Sequence, residues 1–543
     1  MTTSGKPPLD LDTVRAKLAA AGGRSYWRSL DELAGTPEFD DMLHREFPRH
    51  ASEWDSSLDR RSFLKVMSAS LALAGLSACS RMPDQKIVPF VKTPDEVVPG
   101  RSMYFATSAI HGGYATGTLV RSDMGRPTKI EGNPNHPASL GATDIFSQAS
   151  LLGMYDPDRS RIVSYRGSVR PWDTFIQELV PMLGAQKMLG GAGLRILTGR
   201  TTSPTLERQY SEFFKQFPSA KIHRYDPVSK DSAYDGARLA FGEPVDVVYK
   251  FDKADVVLAF DSDFMAAGPG AVRYQYDFAR RRRVQGRKAE MNRLYALEPS
   301  PTVTGMMADH RLPARSLDIP AYVRAVAAAL GVEGVTSGNI SEHHRLWVEA
   351  LVRDLQKHKG SSIVIAGDSQ PPVVHAMVHG INEALGNVGS TVVRIPNVEP
   401  ATLNSVESLR SLVGDMKAGS VQVLAVLGGN PVYDAPSDLD FSGAMNNVDV
   451  RIHLSMYEDE TSALCHWHLP ESHTLESWSD ARAFDGTDSI IQPLIAPLYD
   501  TRSAIEVMEI LLGNQQPKGY DAVRTTWSMM SGSGSFESFW NSS

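Results

Sequence analysis

Leu194-Arg195-Ile196-Leu197-Thr198-Gly199-Arg200-Thr201-Thr202-Ser203-Pro204-Thr205-Leu206 holds a short apolar-rich run, a polar loop and the start of a helix-period stretch that continues to Phe217. An apolar run this short between turn signals fits a buried strand, and the change of period from strand to helix marks one strand–loop–helix unit. The unit recurs outward. Further short apolar runs lie at 256–260, 294–297, 363–366 and 423–427, with helix-period segments at 272–283, 322–330 and 373–385. Strands alternating with helices predict an α/β fold of two doubly wound, parallel layers, with a break near 331–341. In such sheets ligands sit at the carboxyl ends of the strands, so the loops after these runs are the places to look for chemistry.

Upstream, residues 116–130 alternate apolar and polar side chains around Asp123-Met124-Gly125-Arg126, which predicts a hairpin in a small β-rich first domain. The Pro- and charge-rich stretch 81–98 reads as a tether. The resulting division is 1–58 an N-terminal segment, 59–79 an export signal, 80–165 tether and β-rich domain, 166–335 and 336–513 the two α/β domains, and 514–543 a Gly-Ser-rich, frayed tail that reads as truncated. Aromatic residues at such an end, Phe539 and Trp540, need something to pack on.

The composition narrows the function. With 543 residues, 42% hydrophobic and 22% charged, the chain has the balance of a globular protein of about three domains. A net charge of -8 argues against a nucleic-acid partner. The 2 cysteines, Cys79 and Cys465, are too few for a cluster that needs four thiolates, so an iron–sulfur centre would have to lie on another polypeptide or use other ligands.

Asp59-Arg60-Arg61-Ser62-Phe63-Leu64-Lys65, followed by a weakly apolar run to Ala78, has the order of a twin-arginine (Tat) export signal, carried by Arg60, Arg61, Phe63 and Leu64. The run falls short of the roughly 20 residues that span a bilayer. Leu76-Ser77-Ala78-Cys79 then resembles the lipobox of bacterial lipoproteins, which would make Cys79 an acylated mature N-terminus on the periplasmic face of the inner membrane; a plain signal-peptidase site near Ala78 is the alternative.

Several strings follow one another in a recognisable order. They are Arg126-Pro127-Thr128-Lys129-Ile130-Glu131-Gly132-Asn133-Pro134-Asn135-His136-Pro137, then Tyr155-Asp156-Pro157-Asp158-Arg159, Leu297-Glu298-Pro299-Ser300, Leu427-Gly428-Gly429-Asn430-Pro431, and Leu469-Pro470 with Glu476, Gly486 and Gln492. This order resembles the molybdopterin oxidoreductase superfamily. Tyr26-Trp27-Arg28-Ser29-Leu30, within 1–58, resembles the extended Tat translocation segment found ahead of cofactor subunits in alternative complex III, and the wording of Met291-Asn292-Arg293-Leu294-Tyr295, Gly367-Asp368-Ser369-Gln370-Pro371-Pro372 and Tyr457-Glu458-Asp459-Glu460-Thr461 is similar to the B-subunit family of that complex, matching its molybdopterin-enzyme-like half.

That resemblance implies a periplasmic, Tat-exported subunit of a quinol-oxidising respiratory complex. It binds no cofactor itself and scaffolds an iron–sulfur domain or subunit, a multihaem cytochrome and integral-membrane quinol-binding subunits. The departures agree with it. The place of the last cluster cysteine reads Leu140-Gly141-Ala142-Thr143-Asp144; the Asp-Pro-Arg that grips the pterin nucleotide reads Glu298-Pro299-Ser300, without the cation; and the metal-ligand loop offers Ser203 beside Pro204. Ser203, Glu298, Gly428, Gly429, Asn430 and Pro431 thus mark a vestigial pterin site. A molybdenum bis-pterin enzyme with an atypical ligand set is the rival reading.

Four further features carry two readings each. His375 and His379 share a helix face, as packing residues or as two metal ligands; Cys465, His466 and His468 read as alternating strand faces or as ligands. Arg280-Arg281-Arg282-Arg283, with Arg287 and Lys288, is a solvated helix end or a docking patch for an acidic partner or lipid. Gly268-Pro269-Gly270, lacking the lysine of a phosphate loop, predicts a strand-to-helix turn.

Overall fold

The structure is a computed structural model that describes residues 97–98, 100–283, 290–399, 404–531 and 536–542, with Ala16 besides. Apart from Ala16, the described residues belong to one unit, Pro94–Ser543. The export residues Arg60, Arg61, Phe63 and Leu64, together with Cys79, lie outside the described residues.

Strands Met103–His111, Tyr114–Asp123 and Arg126–Gly132 form an antiparallel sheet. Its second turn has Met124 at φ 55° and Gly125 at φ 80°, the pair of positive values that a two-residue hairpin needs to match strand twist. Val120 and Ile130 face Leu151 and Met154 of helix Ile145–Met154, closing a small core. This is the expected β-rich first domain, with Met103–His111 as a strand the alternation had not revealed.

Two parallel sheets make the α/β body. One runs Trp467–Pro470, Val450–Ser455, Val423–Leu427, Leu194–Thr198, Lys221–Arg224, and the short pair Ser164–Tyr165 and Ser168–Val169 extends it antiparallel on the Trp467 side. The other runs His310–Pro313, Arg293–Glu298, Val256–Phe260, Ser362–Ala366, all parallel. Leu194–Thr198, Val256–Phe260 and Val423–Leu427 are buried at every residue, as strands covered by helices on both faces must be.

The two sheets are nested, and here the expected division fails. Ser362–Ala366 pairs with Val256–Phe260 across the predicted boundary at 335/336, and Val423–Leu427 pairs with Leu194–Thr198. The chain begins one sheet, leaves to build the other, and returns. Helix Ala271–Arg280 starts directly after Gly268-Pro269-Gly270, so that segment is the predicted turn.

The carboxyl-terminal region is also not a frayed tail. Helix Gly519–Met530 buries Val523 and Trp527 in the main core, and in helix Phe536–Ser542 Trp540 stacks on Trp478 with ring centres 6.0 Å apart and meets Tyr520 edge-on. Trp540 thus finds its partners inside the chain.

Candidate functional site

The loop after Leu194–Thr198 was the expected home of a metal ligand. Ser203 is instead the N-cap of helix Pro204–Gln216: its hydroxyl accepts from the Leu206 N–H at 3.1 Å and donates to Asp480 in a short hydrogen bond. Asp480 is fully buried and also accepts from Thr205 N–H (3.2 Å), Thr205 Oγ1 (2.5 Å) and Trp527 Nε1 (3.0 Å). Burial pushes the Asp480 carboxyl up from its ordinary range, and the donors around it pull the other way. The hydroxyl that would have faced a metal is held inside the protein.

Glu298, at the end of Arg293–Glu298, is equally occupied. Its carboxylate accepts from Thr302 Oγ1 at 2.7 Å and pairs with Arg311 Nε at 2.6 Å, and a Cβ on Gly305 would lie 1.7 Å from its Oε1, so the helix-start loop closes tightly over it. Gly428 and Gly429 turn with φ of 73° and 71°. Asn430 then binds Glu460 (2.6 Å) and Thr461 (2.8 Å), so this loop too is closed by its own chain, and Pro431 begins a short helix.

Beneath it runs a buried polar chain. His453 meets the Gly429 carbonyl at 3.0 Å and Ser462 at 2.8 Å, Ser462 meets His468 at 2.9 Å, and His468 meets Ser160 at 2.6 Å. His466 stands apart against Arg451, and Cys465 packs into an apolar cluster where burial pushes its thiol up to about 12. Cys465, His466 and His468 therefore face three different surroundings; only His468 lies in the strand Trp467–Pro470, so alternating strand faces do not account for all three.

The open space lies elsewhere. A cavity of about 630 Å³ opens at the carboxyl ends of Val256–Phe260 and Ser362–Ala366, floored by Asp261, Asp263 and Gly367–Ser369 and walled by Tyr249, Tyr274, Phe264 and Phe484. A Cβ on Gly367 would sit 1.8 Å from the Asp261 carbonyl, so glycine is what lets these two strand-end loops touch. On one side, Arg200 Nε pairs with Glu399 at 2.9 Å; Tyr114 and Tyr234 donate to the same carboxylate at 2.7 and 3.1 Å, and Lys230 lies 3.6 Å from Asp246. Burial and the neighbouring carboxylates raise both phenols, which keeps them protonated donors.

On the other side, helix Pro372–Ala384 presents His375 and His379 to the cavity. Burial lowers both imidazoles, His379 to about 4 with Arg394 adding to the effect, so both are neutral near pH 7. His379 packs edge-on to Phe241. Among the described residues no group of three or more His, Cys, Asp or Glu side chains is arranged to hold a metal ion.

Sequence reasoning singled out Ser203 and missed Arg200 three residues earlier, which is the residue of that loop that lines the cavity. Tyr114, Lys230, Tyr234 and Glu399 were missed as well; scattered over nearly three hundred positions, they carry no spacing signal. Of the arginine run, Arg281 pairs with Asp255, while Arg282 pairs with Asp309 and lies over Phe278. Arg287 and Lys288 lie outside the described residues.

The donor set does not fit a molybdenum pterin nucleotide. That group is multiply anionic, and the cavity presents five carboxylates (Asp226, Asp246, Asp261, Asp263, Asp368) against two cations, Arg200 and Lys230, each already engaged by an acid.

Comparisons with known proteins agree on the fold. No protein-family model matches the chain. It is 26% identical over 514 residues to the menaquinone reductase, molybdopterin-binding-like subunit of Nitratidesulfovibrio vulgaris (strain Hildenborough), covering 84% of this chain and 72% of that one. The acetylene hydratase of Pelobacter acetylenicus superposes with a TM-score of 0.53 at 12% identity, over 75% of this chain and 69% of the other. The architecture is a molybdopterin-oxidoreductase-like α/β fold.

Proposed function

We propose that this chain is a cofactor-free, molybdopterin-enzyme-like subunit of a membrane quinone-linked electron-transfer complex, where it holds iron–sulfur and haem partners in place. The observation that carries the reading is the capture of Ser203 by Asp480: the side chain in the ligand loop serves as a buried helix cap. The acidic cavity supports it, as does similarity to a relative whose name joins menaquinone reduction with a molybdopterin-binding-like subunit. The finer placement, in a quinol-oxidising complex of the alternative complex III type, rests on the sequence strings given above.

The physical role is positional. Electron transfer over long distances needs fixed separations between centres, and a large α/β body keeps small redox modules at set distances. The reading includes Tat export to the periplasmic face of the inner membrane and acylation at Cys79.

The test is purification from native membranes. The chain should co-purify with haem- and iron–sulfur-containing subunits, its mature N-terminus by mass spectrometry should be a modified Cys79, and molybdenum should be far below one atom per chain. Stoichiometric molybdenum with pterin, or substrate turnover by the isolated chain, would overturn the scaffold reading. An intact Met1 on the membrane-bound protein would overturn the processing.

A further inference from the structure

The cavity has a definite chemical character that scaffolding does not use. Its volume of about 630 Å³ falls within the range of small-molecule sites, and it sits where doubly wound sheets place ligands. Arg200 and Lys230 are engaged by Glu399 and Asp246. What is left facing the space is anionic. Asp261 and Asp263 follow one strand and the exposed Asp368 follows the next, and Asp261 accepts from Gln370 Nε2 at 2.9 Å through one of its two oxygens.

A second observation is independent of these acids. His375 is 7% exposed and lines the cavity, yet its Nε2 has no hydrogen-bond partner among the described residues. A buried polar atom without a partner is unfavourable, so such an atom on a residue that lines a cavity points to a ligand. The backbone carbonyls of Gln370 and Gly367 favour a proton on the ring. A neutral imidazole has one nitrogen that donates and one that accepts. The helix Asp231–Phe241 packs directly behind His375: a Cβ on Gly236 would lie 2.4 Å from the His375 Cβ.

We infer that the cavity binds a small protonated amine carried on an apolar body. The ammonium would lie among Asp261, Asp368 and His375, with carboxylates to balance its charge and Nε2 to accept one N–H. The aromatic walls formed by Tyr249, Tyr274 and Phe264 would take the apolar body and add cation–π attraction. The inference goes beyond the scaffold role: the carboxylates that make the cavity a poor fit for an anionic pterin nucleotide are the ones that would receive a cation.

The test is calorimetric titration of the purified full-length chain with phenethylamine at pH 7, with 2-phenylethanol, phenylacetate and pyrophosphate as comparison probes. Phenethylammonium should bind, while the neutral alcohol is at least about tenfold weaker and the two anions do not bind. Asp261→Asn and Asp368→Asn should each weaken the amine about tenfold, and His375→Phe should weaken it with the fold intact by circular dichroism. Equal binding of phenylacetate or pyrophosphate, no detectable amine binding, or amine binding indifferent to Asp261→Asn and Asp368→Asn would each overturn the proposal. Should His375→Phe fail to fold, the two aspartate variants decide.

Discussion

At the carboxyl end of Leu194–Thr198 the chain closes on itself through Ser203 and Asp480, whereas at the ends of Val256–Phe260 and Ser362–Ala366 it stays open around a cavity. In the first region every polar group named has an intramolecular partner. In the second, the buried His375 Nε2 has none among the described residues, and the Asp368 side chain is exposed. A polar group satisfied inside the protein contributes to stability, and one left facing a cavity is available for binding. The comparison therefore separates residues that hold the fold from residues free to recognise something.

The sharpest way to break this contrast is to empty the closed region. Asp480→Ala removes the shared acceptor of Ser203, Thr205 and Trp527, and should lower the urea unfolding free energy by about 3–5 kcal/mol, the range for breaking a buried charged network. Asp480→Asn, which keeps the shape and part of the hydrogen bonding, should cost less. A loss under about 1 kcal/mol for the alanine variant would mean that the region is held by apolar packing alone.

Acid should act next most strongly. Burial pushes His468 down to about 4, well below its value in an unfolded chain. Between about pH 6.5 and 4 the unfolded chain thus binds more protons than the folded one. The contribution of this group is present above pH 6.5 and is lost as pH falls toward 4, at up to about 1.4 kcal/mol per pH unit. Urea melts at several pH values should show at least that slope, and His468→Gln should make it shallower, with the other buried histidines, such as His379, supplying the rest. An identical slope in the variant would assign the acid lability to other groups.

Smaller effects separate the regions further. Ser203→Ala removes an N-cap and should cost about 1 kcal/mol in the same melts. Asp368→Asn, in the open region, should change stability by no more than about 0.5 kcal/mol, because the side chain is exposed. If Asp368→Asn destabilised the chain as much as Ser203→Ala, the cavity would have to be counted as part of the framework.

Local signals were legible wherever neighbours in sequence are neighbours in space. The runs at 194–197, 256–260 and 423–427 became strands, Asp123-Met124-Gly125-Arg126 became a tight turn, and 205–217 became helix Pro204–Gln216. The domain division failed because strand pairing joins Val423–Leu427 to Leu194–Thr198 over more than two hundred residues, and periodicity says nothing about which buried strand lies beside which. The tail was misread for the same reason: Trp540 looked unpartnered until Trp478 and Tyr520 were seen against it.

Taken alone, the sequence determined the class of fold and the absence of a cysteine quartet, since period and residue type are properties of the chain itself. Tertiary structure alone decided the uses of individual polar groups: that Ser203 is turned to Asp480, that Glu298 is paired with Arg311, and that Arg200, Tyr234 and His375 meet at one cavity. The reason is that hydrogen bonds and charges act over a few ångströms, so a side chain's role is set by whatever the fold brings within that reach.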